Sequence, residues 1–142
     1  MVTLKINNVP VTVEEGTTIL NAAAKAGVSI PTLCFLKDLN EIGACRICMV
    51  EVKGAKGLVA SCVYPVNEGM EVFTNTEKVR KARKMTLELI LSNHRMECLT
   101  CHRSGTCELQ TLAQEFGVDQ VRFQTPNMKP EIEDSAIHLV RD

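Results

Sequence analysis

The chain has 142 residues, enough for one ordinary domain or two small ones, and its 45% hydrophobic content is that of a globular protein, not a disordered one. With 16 basic and 17 acidic residues the net charge is -1, which argues against a nucleic-acid or membrane-surface binder. No stretch approaches the roughly 18 consecutive apolar residues of a transmembrane helix. The opening "MVTLKINNVPVTVEE" lacks the basic-then-apolar pattern of a signal peptide, so a cytoplasmic protein is expected.

Residues 2–13 read as a hairpin: "VTLKI" and "VTV" alternate, and Asn7-Asn8 supplies the turn. "EEGTTILNAAAKAGVSIP" predicts a short helix with Thr17 as N-cap, an apolar stripe of Ile19, Leu20, Ala23 and Ala24, and Gly27 as its stop. Thr32 to Ala44 shows no periodicity and reads as a loop that holds Cys34. "CMVEV" (48–52) and "LVASCV" (58–63) flank the Gly54/Gly57 turn as a second hairpin, and "EVF" (71–73) is a last short strand. The order strand, strand, helix, long loop, strand, strand, strand is the β-grasp arrangement, so the expected fold class is α+β.

A second module begins near Thr74. "TNTE" reads as a capping box, with Thr74 at the N-cap and Glu77 three residues on. The helix is expected to run to about Asn93, with Val79, Ala82, Thr86, Leu89 and Ile90 on one side and the basic run "KVRKARK" (78–84) as a solvated face. "HRMECLTCHRSGTC" (94–107) follows as a loop. A further helix is expected from about Thr106, through Leu109, Leu112, Ala113 and Phe116, to Gly117. Beyond Thr125, two prolines and mixed charge read as a linker or tail, with His138 solvated. The expected organisation is 1–74, 75–125 and a tail at 126–142.

Seven cysteines need a reason. Cytosolic thiols stay reduced and an odd count fits complete pairing badly, so metal or cluster binding leads over a disulfide framework. Cys34, Cys45, Cys48 and Cys62 fall in the first module, spaced C-x10-C-x2-C-x13-C. Cys98, Cys101 and Cys107 fall in the second; adding His94 gives H-x3-C-x2-C-x5-C. Each module then has four ligands and no cysteine is left over.

Structural zinc sites usually join two short C-x2-C knuckles, whereas the first module has only one. Several cysteines near one loop plus a fourth further on is the layout of plant-type [2Fe–2S] sites, although the gaps differ from C-x4-C-x2-C. Gly43 and Ala44 beside Cys45 would let backbone N–H groups approach the sulfurs. In the second set a compact loop suits a [4Fe–4S] cubane, and Cys107 near a helix N-terminus gains from the dipole. Spacing favours His94 over His102 as fourth ligand, because His102 adjoins Cys101 and reaches another corner poorly. A neutral imidazole in place of a thiolate raises the reduction potential on charge alone.

Two other classes compete. One is a zinc-stapled structural or interaction module. The other is a thiol redox enzyme on Cys45-Arg46-Ile47-Cys48, disfavoured because that C-x2-C opens a strand, not a helix. Cys62 alone could also be an ordinary core cysteine.

"TLCFL", "GACRICMVEV", "SCVYPVNEGM" and "NHRMECLTCHRSGTCELQ" together resemble the N-terminal region of the [FeFe]-hydrogenase catalytic subunit. The large cluster-bearing subunit of respiratory complex I and some NAD-dependent formate dehydrogenase α subunits open with the same modules. The resemblance spans essentially the whole chain. It implies a [2Fe–2S] cluster on the first four cysteines and a [4Fe–4S] cluster on His94, Cys98, Cys101 and Cys107, with His94 and not His102 as ligand. It also implies a one-electron relay between redox subunits of flavin/NAD-binding diaphorase type and ferredoxin type, and the remaining domains of a parent enzyme. A multi-subunit, NAD(P)-linked hydrogenase is the favoured parent. The last residues, "AIHLVRD", resemble the approach to a further ferredoxin module. With no catalytic centre of its own, the chain is expected to be an excised fragment or a natural short relative.

Overall fold

The computed structural model describes residues 1–123, 133–136 and 139–141. Strands β1 (Val2–Ile6) and β2 (Val9–Val13) form the first hairpin, in register from Val2↔Val13 to Ile6↔Val9. Asn7 and Asn8 turn it with φ of 49° and 69°, the left-handed pair that matches strand twist and that Asn tolerates. Val2, Leu4 and Ile6 point inward while Thr3 and Lys5 face out, as period-2 alternation requires.

Helix α1 (Ile19–Lys25) lays Ile19, Leu20, Ala22 and Ala23 on this core. Its N-cap is Thr18, one residue beyond the expected Thr17. Thr17 is tied down by its backbone, its N–H donating to Glu14 O at 3.2 Å and its carbonyl accepting from Val66 N at 2.9 Å. Strands β3 (Met49–Val52), β4 (Val59–Ala60) and β5 (Glu71–Phe73) complete a five-stranded sheet in the order β2-β1-β5-β3-β4. β5 pairs parallel with β1 and antiparallel with β3. A helix crossing a mixed sheet with the last strand inserted at its centre is the expected β-grasp. Each fully buried Ile or Leu in its core contributes about 1.5–3 kcal/mol of transfer free energy.

Helix α2 (Glu77–Ser92) starts from Thr76, not from Thr74. Thr74 is engaged elsewhere: its N–H donates to Asn7 Oδ1 at 2.9 Å, and Asn7 Nδ2 donates to its Oγ1 at 2.8 Å. Thr76 Oγ1 is left to accept from Val79 N at 3.3 Å, and it donates to Glu51 Oε2 on β3 at 2.8 Å. The buried stripe of α2 is Val79, Arg83, Leu87, Glu88 and Leu91, rotated from the expected one; Leu89 is 49% exposed. The rotation places one residue of the basic run, Arg83, in the interior. Glu88 is also interior, 1% exposed, and receives Arg122 through Nε (2.7 Å) and Nη2 (3.2 Å).

Helix α3 (Glu108–Glu115) is shorter at its start than expected, with Cys107 as N-cap. Leu112 of α3 packs with Leu87 and Leu91 of α2 and with Ile47. Ile47 belongs to the first module, between Cys45 and Cys48, yet it is fully buried in this second core. The loop of the first module is therefore plugged into the helical module. In the tail, β6 (Glu133–Ala136) and β7 (Leu139–Arg141) pair antiparallel, where a loose linker was expected. The rest of that tail, His138 included, lies outside the described residues.

Candidate metal centres

The first site is built where the long loop, the start of β3 and the turn after β4 meet. Cys62 sits in that turn and not in a strand: β4 ends at Ala60, whose carbonyl accepts from Val63 N at 3.3 Å and Tyr64 N at 3.1 Å. The turn is fixed by α1, whose otherwise unpaired first N–H groups donate to it: Ile19 N to Tyr64 O and Leu20 N to Ser61 O, both 2.9 Å. Ser61, fully buried, donates from Oγ (2.8 Å) and N (3.2 Å) to Cys48 O, locking the Cys62 turn to the other end of the site.

The four cysteines lie as an inner and an outer pair, and among the described residues no three of them are yet close enough together to hold one metal ion. Cys48 Sγ lies 3.3 Å from Cys62 Sγ, and both residues are buried. Cys34 and Cys45 form the outer, half-buried pair, with Cys45 N donating to Cys34 Sγ at 3.4 Å. Burial pushes the Cys34 thiol up, but the N–H and thiol of Cys45 and the N–H of Ala44 outweigh it and leave its pKa below the ordinary 9.0. Burial, followed by the neighbouring Cys34, raises Cys45. Burial, then the Cys48 thiol, then the charges of Cys34 and Cys45 push Cys62 up to about 12. Cys62 thus feels the three other cysteines, and Cys34 and Cys45 feel each other, as neighbouring titratable groups do.

Gly43 completes the cradle. Its φ of 65° is left-handed, and a Cβ there would stand 3.1 Å from Val63 Cγ2 and 3.8 Å from Cys62 Sγ. The expected approach of backbone N–H groups to sulfur is found at Ala44 and Cys45, directed at Cys34.

The second site lies between the end of α2 and the start of α3. His94, Cys98, Cys101 and Cys107 all line one cavity of about 840 Å³, with Leu91, Leu109 and Ala113 as its apolar wall. Asn93 caps α2, and His94 N donates to Leu91 O at 3.0 Å, so the helix end sets where His94 begins. The loop then winds through short turns, Thr100 N to Glu97 O (3.1 Å) and Ser104 N to Cys101 O (3.0 Å), and Gln110 Oε1 accepts from Gly105 N at 3.2 Å. Cys107 caps α3 without a side-chain hydrogen bond, which leaves its sulfur for the cavity. His102 lines the same cavity. Among the described residues no hydrogen bond joins the side chains of this set.

Both donor sets fit the clusters their chemistry suggests. Two pairs of thiols suit the flat rhomb of a [2Fe–2S] cluster, which takes two thiolates per iron. Four donors around one roomy cavity suit a cubane.

Comparison with known proteins defines the class. Residues 1–77 match the 2Fe-2S iron-sulfur cluster binding domain, and the chain belongs to that family. Residues 83–122 match the NADH-ubiquinone oxidoreductase-G iron-sulfur binding region. The protein is an iron–sulfur electron-transfer module with one [2Fe–2S] and one [4Fe–4S] cluster, which displaces the zinc and thiol-enzyme alternatives.

More particularly, it is 42% identical to the NADP-reducing hydrogenase subunit HndD of Solidesulfovibrio fructosivorans, over 100% of this chain and 25% of that protein. It is also 42% identical to the NADH-ubiquinone oxidoreductase 75 kDa subunit of Reclinomonas americana, over 96% of this chain and 20% of that one. A crystal structure of an NAD+-reducing [NiFe]-hydrogenase in the H2-reduced state superposes with a TM-score of 0.83 at 31% identity, covering 94% of this chain and 56% of that chain. The chain thus spans about a quarter or less of the curated relatives. Among the described residues no helix is long and apolar enough to cross a membrane.

Proposed function

We propose that the chain relays single electrons through a [2Fe–2S] cluster held by Cys34, Cys45, Cys48 and Cys62 and a [4Fe–4S] cluster held by His94, Cys98, Cys101 and Cys107. The observation that carries this reading is the placement of the first-module cysteines: the Cys48 and Cys62 sulfurs are 3.3 Å apart, and the Cys45 N–H donates to the Cys34 sulfur at 3.4 Å. Residues 1–74 would form the first cluster domain, 75–125 the second, and 126–142 a connection to further modules.

When bound, the clusters supply the one-electron chemistry. The chain's own residues hold and insulate. Ser61 and the α1 N–H groups fix the inner pair, and Ala44 and Cys45 N–H groups favour charge on the Cys34 sulfur. Ile47 ties the first site to the helices that carry the second through a shared buried core. His94 contributes a neutral donor, which raises the potential of the second site on charge alone.

The parent we propose is a cytoplasmic, multi-subunit, NAD(P)-linked [FeFe]-hydrogenase, whose partners are diaphorase-type and ferredoxin-type redox subunits. Leu36, Leu39 and Ile42, exposed on the loop between Cys34 and Cys45, give the first site an apolar rim suited to such a partner. A complex I large subunit is the second reading, supported by equal 42% identity to the 75 kDa relative.

Anaerobically purified protein should be brown, hold about six irons per chain, two plus four, and show two distinct EPR signals in a redox titration. Colourless protein with stoichiometric zinc would sink the relay. Hydrogen-dependent NAD(P) reduction by the parent enzyme separates the hydrogenase from complex I.

A further inference from the structure

Arg83 leaves the solvated face of α2 and enters the interior, where it is 5% exposed. Its Nη2 donates to Met49 O at 2.7 Å, and Met49 directly follows Cys48. Its Nε is a buried nitrogen with no hydrogen-bond partner. Among the described residues no carboxylate lies within ion-pair range of it. A buried, unneutralised cation is costly unless an anion lies near. The carbonyl it holds belongs to the residue next to Cys48, so the guanidinium lies beside one of the four candidate ligands, where a bound cluster would bring negative charge. Burial lowers the guanidinium from 12.5 to about 10 and Cys48 draws it back up, so the charge persists at neutral pH.

We propose that Arg83 is a positioning charge that sets the reduction potential of the [2Fe–2S] site, its buried guanidinium against the Met49 carbonyl favouring the reduced form. This rests on the assignment of Cys34, Cys45, Cys48 and Cys62 as ligands. Reduction adds one electron, and so one negative charge, to a site already crowded with thiolates. A fixed cation in a low-dielectric interior stabilises the more negative state more strongly, which raises the midpoint. The charge comes from the helical module, so the second module tunes the first.

The test is an EPR-monitored redox titration of the 142-residue protein carrying both clusters, with dithionite as reductant. Arg83→Gln and Arg83→Met should each shift the [2Fe–2S] equilibrium about tenfold towards the oxidised form, which is about 59 mV for a one-electron couple. Arg83→Lys should restore most of the shift, and the [4Fe–4S] midpoint should move less. An unchanged or raised [2Fe–2S] midpoint in the neutral variants overturns the proposal. So does loss of the signal from both neutral variants, which would make Arg83 a brace of the fold. Failure of the ligand assignment shows separately, as a [2Fe–2S] signal that survives Cys48→Ala.

Discussion

The two metal centres are organised in opposite ways. In the first, two sulfurs already touch, Cys48 and Cys62 being buried 3.3 Å apart, and Cys34 accepts a backbone hydrogen bond from Cys45. The site is the meeting point of a sheet, a helix N-terminus and a foreign core at Ile47, so the protein pre-forms it. In the second, Cys101 and His94 are exposed, and the candidate ligands line a cavity with no hydrogen bond among their side chains in the described residues. The difference is one of closure. A sheet holds its loops from several sides through long-range hydrogen bonds. A loop between two helices is held by fewer long-range bonds, and a bound cluster would supply the cross-link.

Changes at the ligands should produce the largest effects, and they break the comparison at its root. Cys48→Ala should abolish the [2Fe–2S] EPR signal and about two of six irons while leaving the [4Fe–4S] signal; iron analysis with EPR reads both. His94→Ala should remove or alter only the [4Fe–4S] signal, and His102→Ala should leave it near normal. A [4Fe–4S] signal abolished by His102→Ala instead would reverse the histidine assignment. Removal of the clusters by a chelator should cost helix in the open module and leave the sheet largely intact, followed by circular dichroism. Full helix content in the apoprotein would contradict the idea that the second site depends on its metal.

Ile47→Ala is next in size. It empties a buried position shared by both modules and should cost about 2–5 kcal/mol in denaturant unfolding, weakening the helical module through a residue of the first. Independent unfolding of the two modules in this variant and in the parent chain would show that the shared core does not couple them. Below it comes Arg122→Ala, which strands the interior Glu88 carboxylate without its bidentate partner; the unfolding midpoint should fall, but by less than in Ile47→Ala.

The smallest effect is at Lys53–Glu71, a solvent-facing pair at 2.9 Å between the end of β3 and the start of the central strand β5. Hydrogen bonding from Lys53 lowers the Glu71 pKa below 4.5. Because the folded value is depressed, the stabilisation is present above the ordinary value and lost as pH falls through the lowered one. Lys53→Met should flatten this acid limb slightly in unfolding measured between neutral and acid pH, with almost no change at pH 7.

Much of the fold was legible because it is written in local patterns. Alternation in "VTLKI" and the Asn-Asn turn specified the first hairpin, and the element order implied the β-grasp. The structure departs from the local pattern where a residue with a good local role is claimed by a distant partner. Thr74 suits an N-cap, yet Asn7 takes both its polar groups and the cap passes to Thr76. The buried face of α2 departs from the apolar stripe for the same reason. Hydrophobic periodicity cannot foresee that Arg83 finds a carbonyl and Glu88 finds Arg122 inside the protein. An arginine and a glutamate spaced with Val79, Leu87 and Leu91 on one helical face were the available signal.

The sequence by itself determined the inventory: two groups of four candidate ligands, the spacing that divides them, and the family that the spacing and motifs resemble. Ligand chemistry is carried by residue type and loop length, and both are one-dimensional. Only the tertiary structure decided which sulfurs pair, that one site is closed and the other open, and that Arg83 and Ile47 join the two modules. Those facts depend on contacts between residues tens of positions apart, where burial and hydrogen bonding are settled by the packed whole.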